Sequence, residues 1–384
     1  MSKLITNTIR HTGALSDSIT LTTDGTCTAE ITNRSNRNLI INGAMNVAQR
    51  GLTSTSDGIH TVDRFSCSYG GEDEAPTQAQ VDVAAGTTPY TLGFRKAFKI
   101  TNGNNTGGAG VSDYQRIIYN FEAQDIACSG WNFKSSSSYI TLSYWIKVSV
   151  EQNYYVSFKA SDSSDSQGYV METGALTAGT WTKVTHKIPG DADLEFDNDN
   201  GSGLTLYFWM MRGTNNTGTR ALNTWDDFAS ATITPNQTTT FWTTNDATLE
   251  LTGVQLEVNS VATDFDFRPY GEELAKCQRY YEILYMSNGT ACCYSTGDAT
   301  IKYSHMWYFK QEKRAQATVA LLDDAVFTVS GGSGITLTGI FTSKDHAMFY
   351  YDSGMFRLGD GTQHASVKLS LIHISEPTRP RLIS

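Results

Sequence analysis

Charge is scarce in this chain of 384 residues, with Asp, Glu, Lys and Arg together at only 18%. No apolar run approaches the roughly 18 residues that a membrane-spanning helix needs, so no membrane insertion is expected. The opening "MSKLITNTIRHTGALSD" has no apolar signal core, and folding in a cytoplasm is the expectation. A basic surplus is missing too. The formal net charge is -10, and a broad acidic surface repels phosphate backbones, so nucleic-acid binding is disfavoured. Cys27, Cys67, Cys128, Cys277, Cys292 and Cys293 show no framework spacing and no C-x-x-C. Adjacency strains any disulfide between Cys292 and Cys293, so reduced, mostly buried thiols are expected.

Catalytic signatures are also absent. The histidines are scattered, with no H-x-E, H-E-x-x-H or G-x-S-x-G pattern. "VSGGSGIT", residues 329–336, lacks the lysine of a phosphate loop and reads as a hairpin turn. Carboxylates for glycoside hydrolysis lie about 5 to 10 Å apart across a cleft, and among 39 acidic residues such pairs arise by chance. Trp225-Asp226-Asp227 is one such cluster, in a Thr/Asn-rich loop without a flanking motif. The chain is therefore expected to be no enzyme and to carry no cofactor, with Ca2+ as the one weak exception treated below.

What is present is Thr, Ser, Asn and 33 Gly, with 7 Trp, 19 Tyr and 17 Phe. That mixture suits strands and tight turns and predicts an all-β protein. The length exceeds one ordinary core, so more than one domain is expected. Residues 1–36 are expected to form an N-terminal β attachment segment. There, "SITLTTDGTCTAEIT" reads as two strands around an Asp24-Gly25 turn, too small to hold a core of its own.

Residues 37–268 carry short strand candidates at regular intervals, among them "RNLIING", "TVDRFSCSY", "YITLSYWIKVSV", "NYYVSFKAS", "LTLYFWMM", "TTTFWTT" and "ATLELTGVQLEV". Polar turns separate them, which predicts a two-sheet β-sandwich or jelly roll. Residues 269–286 read as a connecting helix, with Pro269 in its first turn and Leu274, Cys277, Tyr281 and Leu284 on one stripe. Residues 287–370 return to strands, as a smaller C-terminal β tip or oligomerisation domain. In "YSHMWYFK", Tyr303, His305, Trp307 and Phe309 alternate with Ser304, Met306 and Tyr308, which predicts burial on both faces. Residues 371–384, with "LIHISEPTRPRLIS", resemble the translation of a sequencing-adapter read-through and are expected to be a non-native or disordered tail.

Two groups of residues are candidates for binding. Within each strand, Trp145 and Lys147, Tyr155, and Tyr207 and Trp209 fall on the side opposite the aliphatic residues. Rings mixed with hydrogen-bonding groups suit a sugar platform, and equally suit packing under loops or against another subunit. Asp191, Asp193, Asp197 and Asp199 in "GDADLEFDNDNG" could offer oxygen ligands to Ca2+. They lack the calcium-loop spacing, so a polar hairpin loop is the competing reading.

"NRNLIINGAMNVAQRG" at residues 36–51 and "TVDRF" at 61–65 resemble the opening of a domain common in bacteriophage tail-fibre and other virion proteins. "IPGDADLEFDNDNGSGLTLYFWMMRG" at 188–213 resembles its middle hairpin, and "VQLEVNSVATDFDFRPYGEELAKCQRYY" at 254–281 its close. The family core resembles carbohydrate-binding jelly rolls. The resemblance implies a virion appendage, assembled in a host cytoplasm, that attaches to a bacterial surface glycan by non-covalent binding. It further implies a homo-oligomer, a trimer, joined to other virion proteins through the N-terminal segment. A capsid-decorating or spacer protein without ligand is the alternative, followed by a glycan depolymerase. Within these motifs, Arg50 and the Asp63-Arg64 pair could clip loops together by bidentate hydrogen bonds. Phe265, Phe267 and Tyr270 are expected to plug one end of the sandwich.

Overall fold

The computed structural model describes residues 36–285 and 303–318 continuously, with residues 8–9, 12, 19–21, 23, 27–29, 320–321, 337–351 and 366–369 besides. The expected turn at 329–336, Cys292, Cys293 and the tail at 371–384 lie outside the described residues.

Between residues 53 and 257 the chain forms two six-stranded antiparallel sheets. Their strands are β1 (Thr53–Ser54), β2 (Ser66–Gly70), β3 (Thr77–Asp82), β4 (Lys96–Thr101), β5 (Tyr114–Glu122) and β6 (Tyr139–Val148). There follow β7 (Asn153–Ala160), β8 (Gln167–Ala175), β9 (Thr182–Pro189), β10 (Ser202–Arg212), β11 (Trp225–Asp227) and β12 (Thr248–Glu257). The first sheet runs β11-β8-β7-β10-β5-β2, and the second runs β9-β6-β12-β4-β3-β1. Most successive strands change sheet, as in a jelly roll. The all-β sandwich read from the sequence is the fold.

Alternation explains the core. Ile140, Leu142, Tyr144, Ile146 and Val148 of β6 face inward, against Leu204, Leu206, Phe208 and Met210 of β10, and all are buried. Tyr144 and Phe208 meet edge to face with centroids 5.0 Å apart. Each such side chain contributes about 1.5–3 kcal/mol by leaving water. One glycine is required by this geometry. Gly253, at φ +62, sits in a bulge of β12 where pairing jumps from Thr252↔Trp145 to Gln255↔Ser143, and a Cβ there would lie 2.7 Å from the Phe94 ring.

Several expected elements differ. "RNLIING" is turn and coil rather than strand. "TTTFWTT" holds a one-turn helix, α3 (Thr240–Thr243), rather than a strand; α1 (Thr88–Thr91) and α2 (Ala123–Ala127) are equally short. "TQAQVD" is strand β3 although it is polar, because Gln78, fully buried, gives its amide hydrogens to the carbonyls of Ser56 and Gly58.

The connecting helix, α4 (Tyr270–Gln278), is shorter than the expected 269–286, with Pro269 as its cap. Leu274 is only half-buried, and Tyr281 lies beyond the helix end. Tertiary bonds override the stripe: Arg279 and Tyr280 are drawn to the Glu122 carboxylate, and Glu282–Tyr285 becomes a strand paired with Ser366–Leu369.

At the N-terminal end, Thr8–Ile9, Ile19–Leu21 and Cys27–Ala29 form a small antiparallel sheet in which the last two strands pair, and the turn expected at Asp24-Gly25 lies outside the described residues. Near the C-terminal end, Tyr303–Tyr308 and Leu337–Thr342 both pair with His346–Tyr351. Tyr308 is 69% exposed, so burial on both faces of that strand does not hold at this residue. Cys67 and Cys277 are buried free thiols, whereas Cys128 is exposed.

Candidate functional site

The opening and closing motifs form one joint. Leu39 donates its N–H to the Leu256 carbonyl at 2.8 Å, and Val254 donates to Gly43 at 2.9 Å. Arg268 donates to the carbonyls of Asn38 and Ile40 and lies 3.6 Å from Glu273. Arg37 bonds Thr263 at 2.8 Å and meets Glu257 at 3.7 Å. Asn42, in the left-handed region at φ 64, holds Val47 and the Asp63 carbonyl through its side chain, each at 2.9 Å.

The expected clip is present only in part, because Arg50 reaches Asp63 through one nitrogen rather than bidentately and Arg64 donates to the Asn120 carbonyl instead. Asp63 accepts from the Gln49 side chain at 2.5 Å and meets Arg50 at 3.5 Å, while burial pushes its carboxyl up. Arg50 and Arg64 stack over Tyr281 and Tyr280, each 3.5 Å from the ring centroid. Phe265 and Phe267 pack on Phe94 at 4.9 and 5.0 Å. Tyr270 is 59% exposed and plugs nothing. These contacts hold the opening and closing motifs together and close the sandwich.

The predicted platform residues do not share one surface. Trp145 and Lys147 lie on the outer face of the second sheet. Trp145 packs against the small buried cluster of Ala44, Val83, Phe94 and Ala97, and Lys147 pairs with Glu250 at 2.8 Å. Tyr155, Tyr207 and Trp209 lie on the outer face of the first sheet, in register across β7 and β10. Two of these three are floor rather than platform. Trp209 is 2% exposed and donates its indole N–H to Ser157 Oγ at 2.9 Å. Tyr155 is 4% exposed and donates its hydroxyl to the Pro235 carbonyl, under the loop that carries Ile233. Tyr207 remains half-exposed, stacked on Trp209 at 5.2 Å and 22°.

Three residues that were not singled out complete this face. Tyr114 and Arg116 project from β5, with Arg116 opposite Trp209 and Tyr114 opposite Arg212. A bulge between Trp209 and Met211 reverses the side-chain parity, so Arg212 joins the outer face although simple alternation from Trp209 would turn it inward. Arg116 lies 5.1 Å from the Tyr207 and Trp209 ring centres, and Arg212 lies 4.9 Å from that of Trp209. Tyr114, Arg116, Tyr207 and Arg212 are all half-exposed. Among the described residues no ion pair engages either guanidinium, and the Nε of each is buried without a partner. Burial, and then the neighbouring charge of Arg116, lower Arg212 to a pKa of about 10.

The acidic stretch does not assemble a cation site. Asp191 accepts the Asp193 N–H at 3.1 Å, and Asp199 accepts the Gly201 N–H at 2.7 Å. Asp197 instead donates its N–H to Asp162 at 3.1 Å. The Asp191 and Asp199 carboxylates thus shape their own turns. No group of three or more His, Cys, Asp or Glu able to hold a metal occurs among the described residues.

No family model matches the sequence, and no curated protein matches it. Among solved structures, the enzymatically active domain of tailspike protein 4 from bacteriophage CBA120 is similar at 10% identity and a TM-score of 0.30, over 58% of this chain. The chain spans only 22% of that protein's length. The N-terminal cellulose-binding domain of Cellulomonas fimi β-1,4-glucanase C is similar at 12% identity and a TM-score of 0.27, over 56% of this chain and 99% of its own. TmCBM61, solved with β-1,4-galactotriose, shows 10% identity and a TM-score of 0.26, over 58% and 99% of the two chains. With TM-scores this low, the site rests on this chain's own residues.

Proposed function

We propose that this chain is a tail-fibre-like bacteriophage virion protein whose sandwich binds a bacterial surface glycan without acting on it chemically. The half-exposed strip of Tyr114, Arg116, Tyr207 and Arg212 on the outer face of the first sheet supports this reading. Rings take the C–H faces of sugars, and guanidinium donors take hydroxyl and acid oxygens. The virion assignment rests on the motifs at 36–51, 61–65, 188–213 and 254–281, two of which interlock in the joint described above. A trimer, with copies acting together, would raise avidity on a repetitive polysaccharide.

The test is the purified chain on an array of bacterial surface polysaccharides, with light scattering for mass. Selective binding that Tyr207→Ala abolishes and Trp145→Ala leaves intact is the expected result. Loss in Trp145→Ala alone would move the site to the second sheet. Binding to purified virions but to no glycan would instead establish the decorating or spacer role, and release of reducing sugar would establish a depolymerase.

A further inference from the structure

We infer that the ligand of this face is an acidic glycan, received by a sugar carboxylate seated between Arg116 and Arg212. The inference rests on the glycan-binding reading and deepens it.

Elsewhere the described arginines give their N–H groups to acceptors of the chain itself, Arg64, Arg95, Arg220 and Arg314 to backbone carbonyls. Arg37, Arg50, Arg268 and Arg279 each have a carboxylate oxygen at 3.7, 3.5, 3.6 and 2.7 Å. Arg116 and Arg212 break that habit in a protein with 39 acidic residues against 29 basic ones. They are like charges, held together by stacking on the same Trp209 ring at 5.1 and 4.9 Å. Each also lies over the Tyr114 ring, at 4.9 and 5.7 Å.

Two adjacent guanidiniums without a counter-ion repel each other, and each keeps most of its N–H donors for an outside acceptor. A planar carboxylate matches the guanidinium fork in charge and geometry. A neutral sugar would leave the repulsion in place. The half-exposed rings of Tyr114 and Tyr207 stand beside the pair, where the body of the sugar ring would lie. The rest of the surface is net acidic and repels polyanions, so a uronate polymer would be drawn to this strip rather than held at random.

The full chain would be titrated with uronate-containing bacterial polysaccharides, and with the same polymers after chemical reduction of their carboxyls to alcohols. Reduction is expected to weaken binding by roughly tenfold or more, the size of one lost charged hydrogen-bond pair. Arg116→Gln and Arg212→Gln should each produce a comparable loss. Arg116→Lys and Arg212→Lys keep the charge but lose the fork, and should fall between, with circular dichroism confirming the fold of every variant. Binding that survives carboxyl reduction, or selectivity for neutral polymers, would overturn the acidic ligand while leaving glycan binding in place. No binding to any polymer, acidic or neutral, would remove both.

Discussion

His186 shows how far one residue's behaviour depends on its burial. Its ring sits on an inward position of edge strand β9, 3.2 Å from the Tyr144 hydroxyl. Burial lowers its pKa from 6.5 to about 4. The unfolded chain therefore binds a proton between these two values that the folded chain refuses. Stability is predicted to fall as pH drops from 6.5 to about 4, and to level off below, by an amount on the order of 2 kcal/mol. Denaturant titrations of the native chain and of His186→Gln, compared across this range, should show the variant losing that slope.

At the same scale, the aromatic and cationic surface was only partly legible. Tyr207 and the outward parity of Trp209 follow from strand alternation. That a loop from another part of the chain covers Tyr155, and that a bulge turns Arg212 outward, do not. Both depend on contacts between residues far apart in sequence.

Elements were legible where one face is apolar and the other is not. Strand β6 follows its alternating pattern almost residue for residue, and the two-sheet architecture follows from many such strands. Strand β3 escaped because its buried face includes Gln78, which looks like a solvent residue until its carbonyl partners are known. Helix α4 was overextended because apolar spacing continues past Gln278 while Glu122 draws the chain away.

The joint between the motifs yields a prediction at this scale. A Cβ on Gly43 would lie 2.1 Å from the Val254 carbonyl oxygen, next to the β12 bulge. Gly43→Ala should therefore separate the two motifs and destabilise the sandwich by about 1–3 kcal/mol, as overpacking does. Thermal melts would show it, and an unchanged melting temperature would mean that the joint yields more readily than its geometry implies.

For the whole molecule, the segment at 309–317 is tied to what precedes it. Lys313 meets the fully buried Glu282 at 2.7 Å and also donates to the Gln278 carbonyl. Arg314 donates to the Asn200 carbonyl at 2.5 Å, in the middle hairpin of the sandwich. Lys313→Ala would leave the Glu282 carboxylate buried and unpaired, at a cost of about 3–5 kcal/mol. Replacing both partners together, by Met at 313 and Leu at 282, should recover much of that loss. Equal destabilisation in the single and double variants would show that the pair is not the source.

Arg37 and Arg268 both meet the Asp266 carboxylate, each at 3.8 Å, although they stand at opposite ends of the sandwich in sequence. The sandwich is thus a closed loop whose entry and exit are clasped. A pull applied to the chain before residue 37 and after residue 281 would cross this clasp before it reached the sheets. The first event on pulling would be release of the clasp, with the twelve strands still folded behind it.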